Sequence, residues 1–213
     1  NGCLVGSEMC IRDSIKIAFD EWNTYVEATP PYFIENYNIA DAIYAASLLN
    51  ACINRGDIIS NTGIYHLINV MGNYRIEKKK IWKTPTTLVL ELYTKFHKGK
   101  ILKSVVNSSN FVSFKLGKQP EYKNNKLIDS AVTMNGKHMC MSVVNKSSSE
   151  KILLKVPYLD RIAENYCIEG SNKVDLNTYA NTSKVKIKKN SLKTSKGFLI
   201  LPPHSISVVL FNI

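Results

Sequence analysis

The sequence is short of acid, of paired cysteines and of long apolar runs, and each shortage excludes something. No apolar stretch approaches the ~20 residues that a membrane-spanning helix needs, so no membrane partner is expected. The 5 cysteines include no C-x-x-C pair, which argues against a zinc site on paired thiols and against a disulfide framework. The 4 histidines, His66, His97, His138 and His204, are scattered and form no metal-ligand pattern. Acidic residues number 17 against 28 Lys and Arg, a net charge of +11. A balance that basic invites a nucleic-acid or membrane-surface reading, which depends on where the charge sits. What is present is ordinary. The chain has 213 residues, 45% hydrophobic and 21% charged, enough to build a core and to exclude disorder for most of it. That length suits one domain or two small ones.

The first fourteen residues stand apart. Ser7-Glu8-Met9-Cys10-Ile11-Arg12-Asp13-Ser14 shows no period and no turn chemistry leading into Ile15. The string resembles a translated adapter of transposase-based sequencing libraries. Residues 1–14 are therefore read as a non-native, adapter-derived segment and excluded from fold reasoning. On that reading the rest is a C-terminal fragment with 27 basic and 15 acidic residues. Cys52, Cys140 and Cys167 remain, an odd and scattered set that fits a reducing, cytoplasmic compartment.

Residues 15–98 read strand, helix, strand, helix, the repeat of an α/β protein with parallel strands. Ile15–Phe19 is a short apolar run ending in Asp20-Glu21-Trp22-Asn23. After a loop holding Pro30-Pro31, a helix is predicted from Asn38 to Arg55. Ile39, Ala42, Ile43, Ala46, Leu49 and Ile53 share one face, Asn38 serves as cap and Gly56 as stop. Asp57–Ser60 reads as the next strand and Asn61–Lys83 as a long loop. Thr84-Pro85 opens the second helix, with proline at its first position. From Gly99 the pattern changes to short apolar or alternating runs every 8–12 residues or so. Asn135-Gly136 between two of them is a strong hairpin signal. Residues 99–213 are thus expected to be a jelly-roll-like β-sandwich.

The charge excess belongs to that second part. Residues 15–98 carry 9 basic and 8 acidic side chains, whereas residues 99–213 carry 18 and 7. The densest stretch is Lys184-Val185-Lys186-Ile187-Lys188-Lys189, with lysines on one strand face and apolar residues on the other. Its basic residues are lysine, whereas nucleic-acid sites favour arginine and interleaved aromatics. A solvated face or a lysine-guarded edge strand is the plainer reading, and no nucleic-acid partner is expected.

Chemistry is concentrated at Phe19-Asp20-Glu21-Trp22-Asn23. A carboxylate ending a strand sits where (β/α)8 enzymes keep their catalysis, and Trp22 and Tyr25 offer a wall on which a sugar stacks. The same carboxylate can equally be a helix cap or an ion-pair partner. Ile17-Ala-Phe-Asp-Glu-Trp-Asn23 resembles the nucleophile motif of α-L-arabinofuranosidases of glycoside hydrolase family 51. Tyr37-Asn-Ile-Ala-Asp-Ala42, Leu67-Ile-Asn-Val70 and Trp82-Lys83-Thr84 match further segments of that family in order and spacing.

The resemblance implies a fold and a mechanism. Residues 15–98 would be the last two βα units of a (β/α)8 TIM barrel, and residues 99–213 the family's C-terminal sandwich. Glu21 would be the nucleophile of a retaining glycosidase. Tyr25 stands where the family often has Trp in the sugar subsite, and His66 where many members have Gln, a departure that leaves the substrate open. Asp20 and Asn23 would hold the loop or the nucleophile's surroundings. The acid/base glutamate would lie on an earlier strand, so the chain alone is expected to be inactive. The implied substrate is an arabinose-containing oligo- or polysaccharide, without cofactor, in a parent that can assemble as a homo-oligomer. A competing reading makes the sandwich a non-catalytic module for carbohydrate or polyanion, with Tyr122, Tyr158, Tyr166 and Tyr179 as candidate aromatics.

Overall fold

The computed structural model describes residues 15–24, 36–115, 117 and 119–213. The expectations for segment 1–14, for the Pro30-Pro31 loop and for Tyr25 lie outside these residues. Strand β1 (Ile17–Trp22), helix α1 (Ile39–Asn54) and strand β2 (Ile59–Ile64) follow one another, and the two strands pair in parallel. Helix α1 begins where expected. The Asn38 side chain accepts from the N–H groups of Ala40 and Asp41, and the Asp41 carboxylate accepts from the Asn38 N–H, a reciprocal capping box. The Ile39 and Ala40 N–H groups donate to the carbonyls of Asp175 and Lys173 at 3.0 and 3.1 Å. The far end of the chain thus closes the start of the helix.

The region 61–83 is only in part a loop, contrary to expectation. Strand β2 runs on to Ile64, and a hairpin follows, β3 (Tyr74–Glu77) with β4 (Lys80–Lys83). Its turn contains Lys78 at φ +52°, where glycine or asparagine would have announced it. Helix α2 (Pro85–Phe96) starts as predicted, capped by the Thr84 hydroxyl, which accepts from the Thr87 N–H.

The remainder is sheet: β5 (Lys100–Leu102), β6 (Asn110–Ser113), β7 (Tyr122–Lys126), β8 (Ile128–Asn135), β9 (His138–Asn145), β10 (Ile152–Leu154), β11 (Ile162–Glu169), β12 (Ile187–Lys189), β13 (Lys193–Ser195), β14 (Phe198–Leu201) and β15 (Ser205–Asn212). They form a six-stranded sheet ordered β12-β11-β15-β9-β8-β5 and a three-stranded sheet ordered β10-β14-β13, with β6 and β7 as a separate hairpin. The β8–β9 hairpin is the one announced by Asn135-Gly136. Asn135 faces His138, so Gly136 is the first of two turn residues. Its φ of +60° matches the place a type II′ turn reserves for glycine.

The six-stranded sheet is buried on both faces. On β15, Ile206 and Val208 point toward the helices, while Val209 and Phe211 point toward the three-stranded sheet. On β9, Cys140 and Val144 face the helices, and Met141 and Val143 face the other way. Ala42, Ala45, Ala46, Leu49, Leu88, Val89 and Leu92 complete the helix side; Leu199, Leu201 and Val156 complete the other. Each fully buried aliphatic side chain contributes roughly 1.5–3 kcal/mol relative to exposure. The helices are therefore held by packing on the sheet rather than by propensity. A buried polar node sits within this interface. The Asn50 Oδ1 accepts from Tyr93 Oη at 2.8 Å and from Ser142 Oγ, while its Nδ2 donates to Asp129 Oδ1. Lys146 pairs with Asp129 at 2.7 Å.

Two consequences are measurable. Asn50→Ala strands the partners of this node, and an unpaired buried polar group costs about 1–3 kcal/mol. Urea unfolding should therefore show a loss of at least ~2 kcal/mol; a change within ~0.5 kcal/mol contradicts the node. His97, just beyond α2, has Nδ1 3.1 Å from Thr133 Oγ1, and burial pushes its pKa down to about 4 from 6.5. The folded state then binds fewer protons than the unfolded state between those values. His97's contribution is intact above pH ~6.5 and is lost as the pH falls toward 4, by up to roughly 3 kcal/mol. His97→Gln should remove that part of the pH slope, and an identical slope in both proteins refutes it.

Candidate active site

Parallel pairing sets the C-terminal ends of β1 and β2 side by side, and the Tyr65 N–H donates to the Trp22 carbonyl at 2.9 Å. The pairing register shifts between Phe19 and Trp22, within the Asp20-Glu21 step. Such shifts re-aim side chains and recur beside active sites. Gly63 accommodates the close approach, since a Cβ there would stand 3.1 Å from the Asp20 carbonyl oxygen. Glu21 emerges exposed at this point.

Trp22 behaves otherwise. It is 6% exposed and packs with residues of α1 and α2, and its Nε1–H donates to Thr62 Oγ1 at 2.6 Å. The ring expected to stack on a sugar is instead part of the core and anchors the end of β1. Asn23 follows as the tie between the two strand ends. Its Nδ2 donates to the carbonyls of Tyr65 and Met71 at 3.3 and 2.9 Å, and its Oδ1 accepts from the Thr24 N–H.

The loop after β2 is strained. His66, Asn69 and Val70 have φ of 60°, 49° and 46°, left-handed backbone without glycine, at a cost of order 1–3 kcal/mol each. Val70, being β-branched, is the most unusual of the three. Strain of this kind persists only where the surroundings over-determine it, and they do. The Asn73 side chain donates to the His66 carbonyl at 3.1 Å, and the Arg75 guanidinium to the Val70 carbonyl at 2.9 Å. Asn69 Oδ1 accepts from the Ile76 N–H at 2.8 Å. Thr84 Oγ1 and Thr87 Oγ1 both donate to the Asn73 carbonyl, fixing the loop to the start of α2. His66 is exposed, its ring stacked on Tyr65 with centroids 3.8 Å apart. Asn73, Arg75 and Thr87 were missed by sequence reading. The signals were Arg75 inside an alternating Tyr-Arg-Ile-Glu run and the cluster of threonines at a helix start.

The Asp41 carboxylate is occupied in capping α1. Among the described residues no group of three or more His, Cys, Asp or Glu side chains is arranged to hold a metal ion. The lysine-rich stretch is an edge: β12 ends the six-stranded sheet. Lys184 pairs with Asp175 at 2.8 Å, Lys189 with Glu164 at 2.6 Å, and Lys188 with Glu169. These contacts hold Glu164 below the usual carboxylate range and Asp175 down at about 2. Much of the supposed polyanion patch is thus internally neutralised. Of the aromatic candidates, Tyr122 and Tyr158 are exposed, whereas Tyr166 is buried and Tyr179 lies under the Lys80 ammonium, 4.4 Å from its ring centroid.

Comparison with known proteins places this arrangement. The family model described as "Alpha-L-arabinofuranosidase C-terminal domain" matches residues 20–205. An intracellular exo-α-(1→5)-L-arabinofuranosidase of Streptomyces lividans is 24% identical over 199 residues, which are 85% of this chain and 29% of that protein. The α-L-arabinofuranosidase of Thermotoga maritima superposes with a TM-score of 0.84 at 22% identity, over 97% of this chain and 45% of the other. The family 51 α-L-arabinofuranosidase of Thermotoga petrophila gives 0.81 at 24% identity, over 98% and 47%. The chain thus spans less than half the length of these relatives. It belongs to the α-L-arabinofuranosidase C-terminal domain family, as the C-terminal part of a family 51 protein.

Proposed function

We propose that this chain is the C-terminal portion of a retaining glycoside hydrolase that releases terminal arabinofuranosyl residues from plant-wall polysaccharides or oligosaccharides. Residues 15–98 supply the last two βα units of a (β/α)8 barrel, and residues 99–213 a jelly-roll-like sandwich that braces them. The observation that carries this reading is Glu21. It is an exposed carboxylate at the C-terminal end of a parallel strand, at a register shift, beside a buried tryptophan and a strained loop. Barrel enzymes place their reacting groups at this end of their strands.

In this reading the Glu21 carboxylate attacks the anomeric carbon and forms a glycosyl ester, while the leaving oxygen departs with a proton from a second carboxylic acid. Water then cleaves the ester, with the second carboxylate as base, and configuration is retained. Two carboxylates suffice, so the reaction calls for no metal or cofactor. The second group stands ~5–5.5 Å from the first in retaining enzymes. We assign it to the part of the enzyme preceding this chain. His66 and Tyr25 contribute to the sugar subsite, and Trp22 supports Glu21 from the core side. A cytoplasmic setting accords with the Streptomyces lividans relative, which is described as intracellular. The sandwich acts as a brace rather than as a separate binding module, which the shared core of helices and sheet supports.

Two outcomes test the reading. In the full-length enzyme, Glu21→Gln should lower turnover of an aryl α-L-arabinofuranoside by ~10³-fold or more, the size of effect seen when a nucleophile is removed; turnover within tenfold of the parent refutes the nucleophile assignment. The present chain, purified alone, should show no turnover above background, and a measurable kcat would place the acid/base within it.

A further inference from the structure

We infer that Asn23 is a positioning residue, locking the Glu21-bearing end of β1 to the strained loop 65–73 so that carboxylate and loop keep one fixed geometry. The inference rests on the glycosidase reading. A primary amide offers two donor hydrogens and an acceptor oxygen. Asn23 uses all of these: Nδ2 donates to the Tyr65 and Met71 carbonyls, and Oδ1 accepts from the Thr24 N–H. Tyr65 and Met71 bracket the left-handed residues His66, Asn69 and Val70. One amide two residues beyond Glu21 therefore staples both ends of the loop. The opposite side is fixed independently by Asn73 and Arg75. With Asn23 in place, β1 and the loop cannot shift against each other. Without it, the register shift at Asp20-Glu21 gives the carboxylate a local freedom that the ladder does not suppress. A misplacement of ~1 Å at a reacting group costs about 10²-fold in rate.

Asn23→Asp is the discriminating change. It preserves size and the Thr24 contact but sets a carboxylate oxygen against two carbonyl oxygens. In the full-length enzyme, Asn23→Asp and Asn23→Ala should each lower kcat by ten- to a hundredfold with KM within about threefold, per natively folded molecule. Asn23→Asp should do no better than Asn23→Ala. Should Asn23→Ala fail to fold, Asn23→Ser, which keeps one donor, is expected to lose less than Asn23→Asp. A kcat per folded molecule within twofold of the parent in these variants overturns the positioning role, reducing Asn23 to a fold contact. A Glu21→Gln enzyme that turns over within tenfold of the parent overturns instead the nucleophile assignment on which the inference rests.

Discussion

Helices α1 and α2 lie on one face of the six-stranded sheet and β10, β14 and β13 lie on the other, so the sheet has no water-facing side over β9 and β15. Every other feature depends on that arrangement. The strand–helix–strand unit carrying Glu21 has few partners of its own: β1 is exposed along its length until Trp22. Its order comes from α1, and α1 is ordered by Ile206, Val208 and Val144 beneath it and by the Asn50 node. Two long-range ties complete the connection. The 173–175 loop accepts the first N–H groups of α1, and Asn177 accepts the Trp82 Nε1–H through its carbonyl at 3.1 Å. The strand–helix–strand unit and the lysine-rich C-terminal portion therefore share one core.

Much of this was legible in the sequence, because the elements concerned announce themselves by period and cap. Helix α1 was visible from Asn38 to Arg55, helix α2 from Thr84, and β9, β14 and β15 from their apolar runs. What escaped has identifiable causes. Strands β3 and β4 are four residues each, with Ile76 and Ile81 facing one another on the outside while Arg75 and Trp82 are buried on the other face, so the apolar alternation does not mark the core side. Strand β7, Tyr-Lys-Asn-Asn-Lys, and strand β13, Lys-Thr-Ser, are polar throughout. They owe their extended backbone to the neighbours they pair with. Nor does a single sequence reveal which surface covers an apolar helix stripe, so the burial of the sheet on both faces was not foreseen.

At the site the same division holds. The exposed position of Glu21 at the end of β1 was legible from the apolar run before it. Trp22 was misjudged because an aromatic beside a carboxylate reads as a sugar wall, whereas its alternation partner here is the helix layer. The strain at His66, Asn69 and Val70 has no signal in composition, since none is glycine; side chains of Asn23, Asn73 and Arg75 tie the loop there. The lysine excess was located correctly to the C-terminal portion. Its ion pairs with Asp175, Glu169 and Glu164 join residues nine to twenty-five apart in the chain, beyond the reach of local pattern.

The central claim is chemical: the Glu21 carboxylate becomes covalently bound to the sugar. It is tested most directly by incubating the full-length enzyme with a 2-fluoro arabinofuranosyl donor whose glycosyl ester hydrolyses slowly, followed by peptide mass mapping. The account predicts a mass increase of one fluoro-arabinosyl unit on the peptide containing Glu21. A label on any other peptide, or turnover of the donor with no label at all, would contradict it.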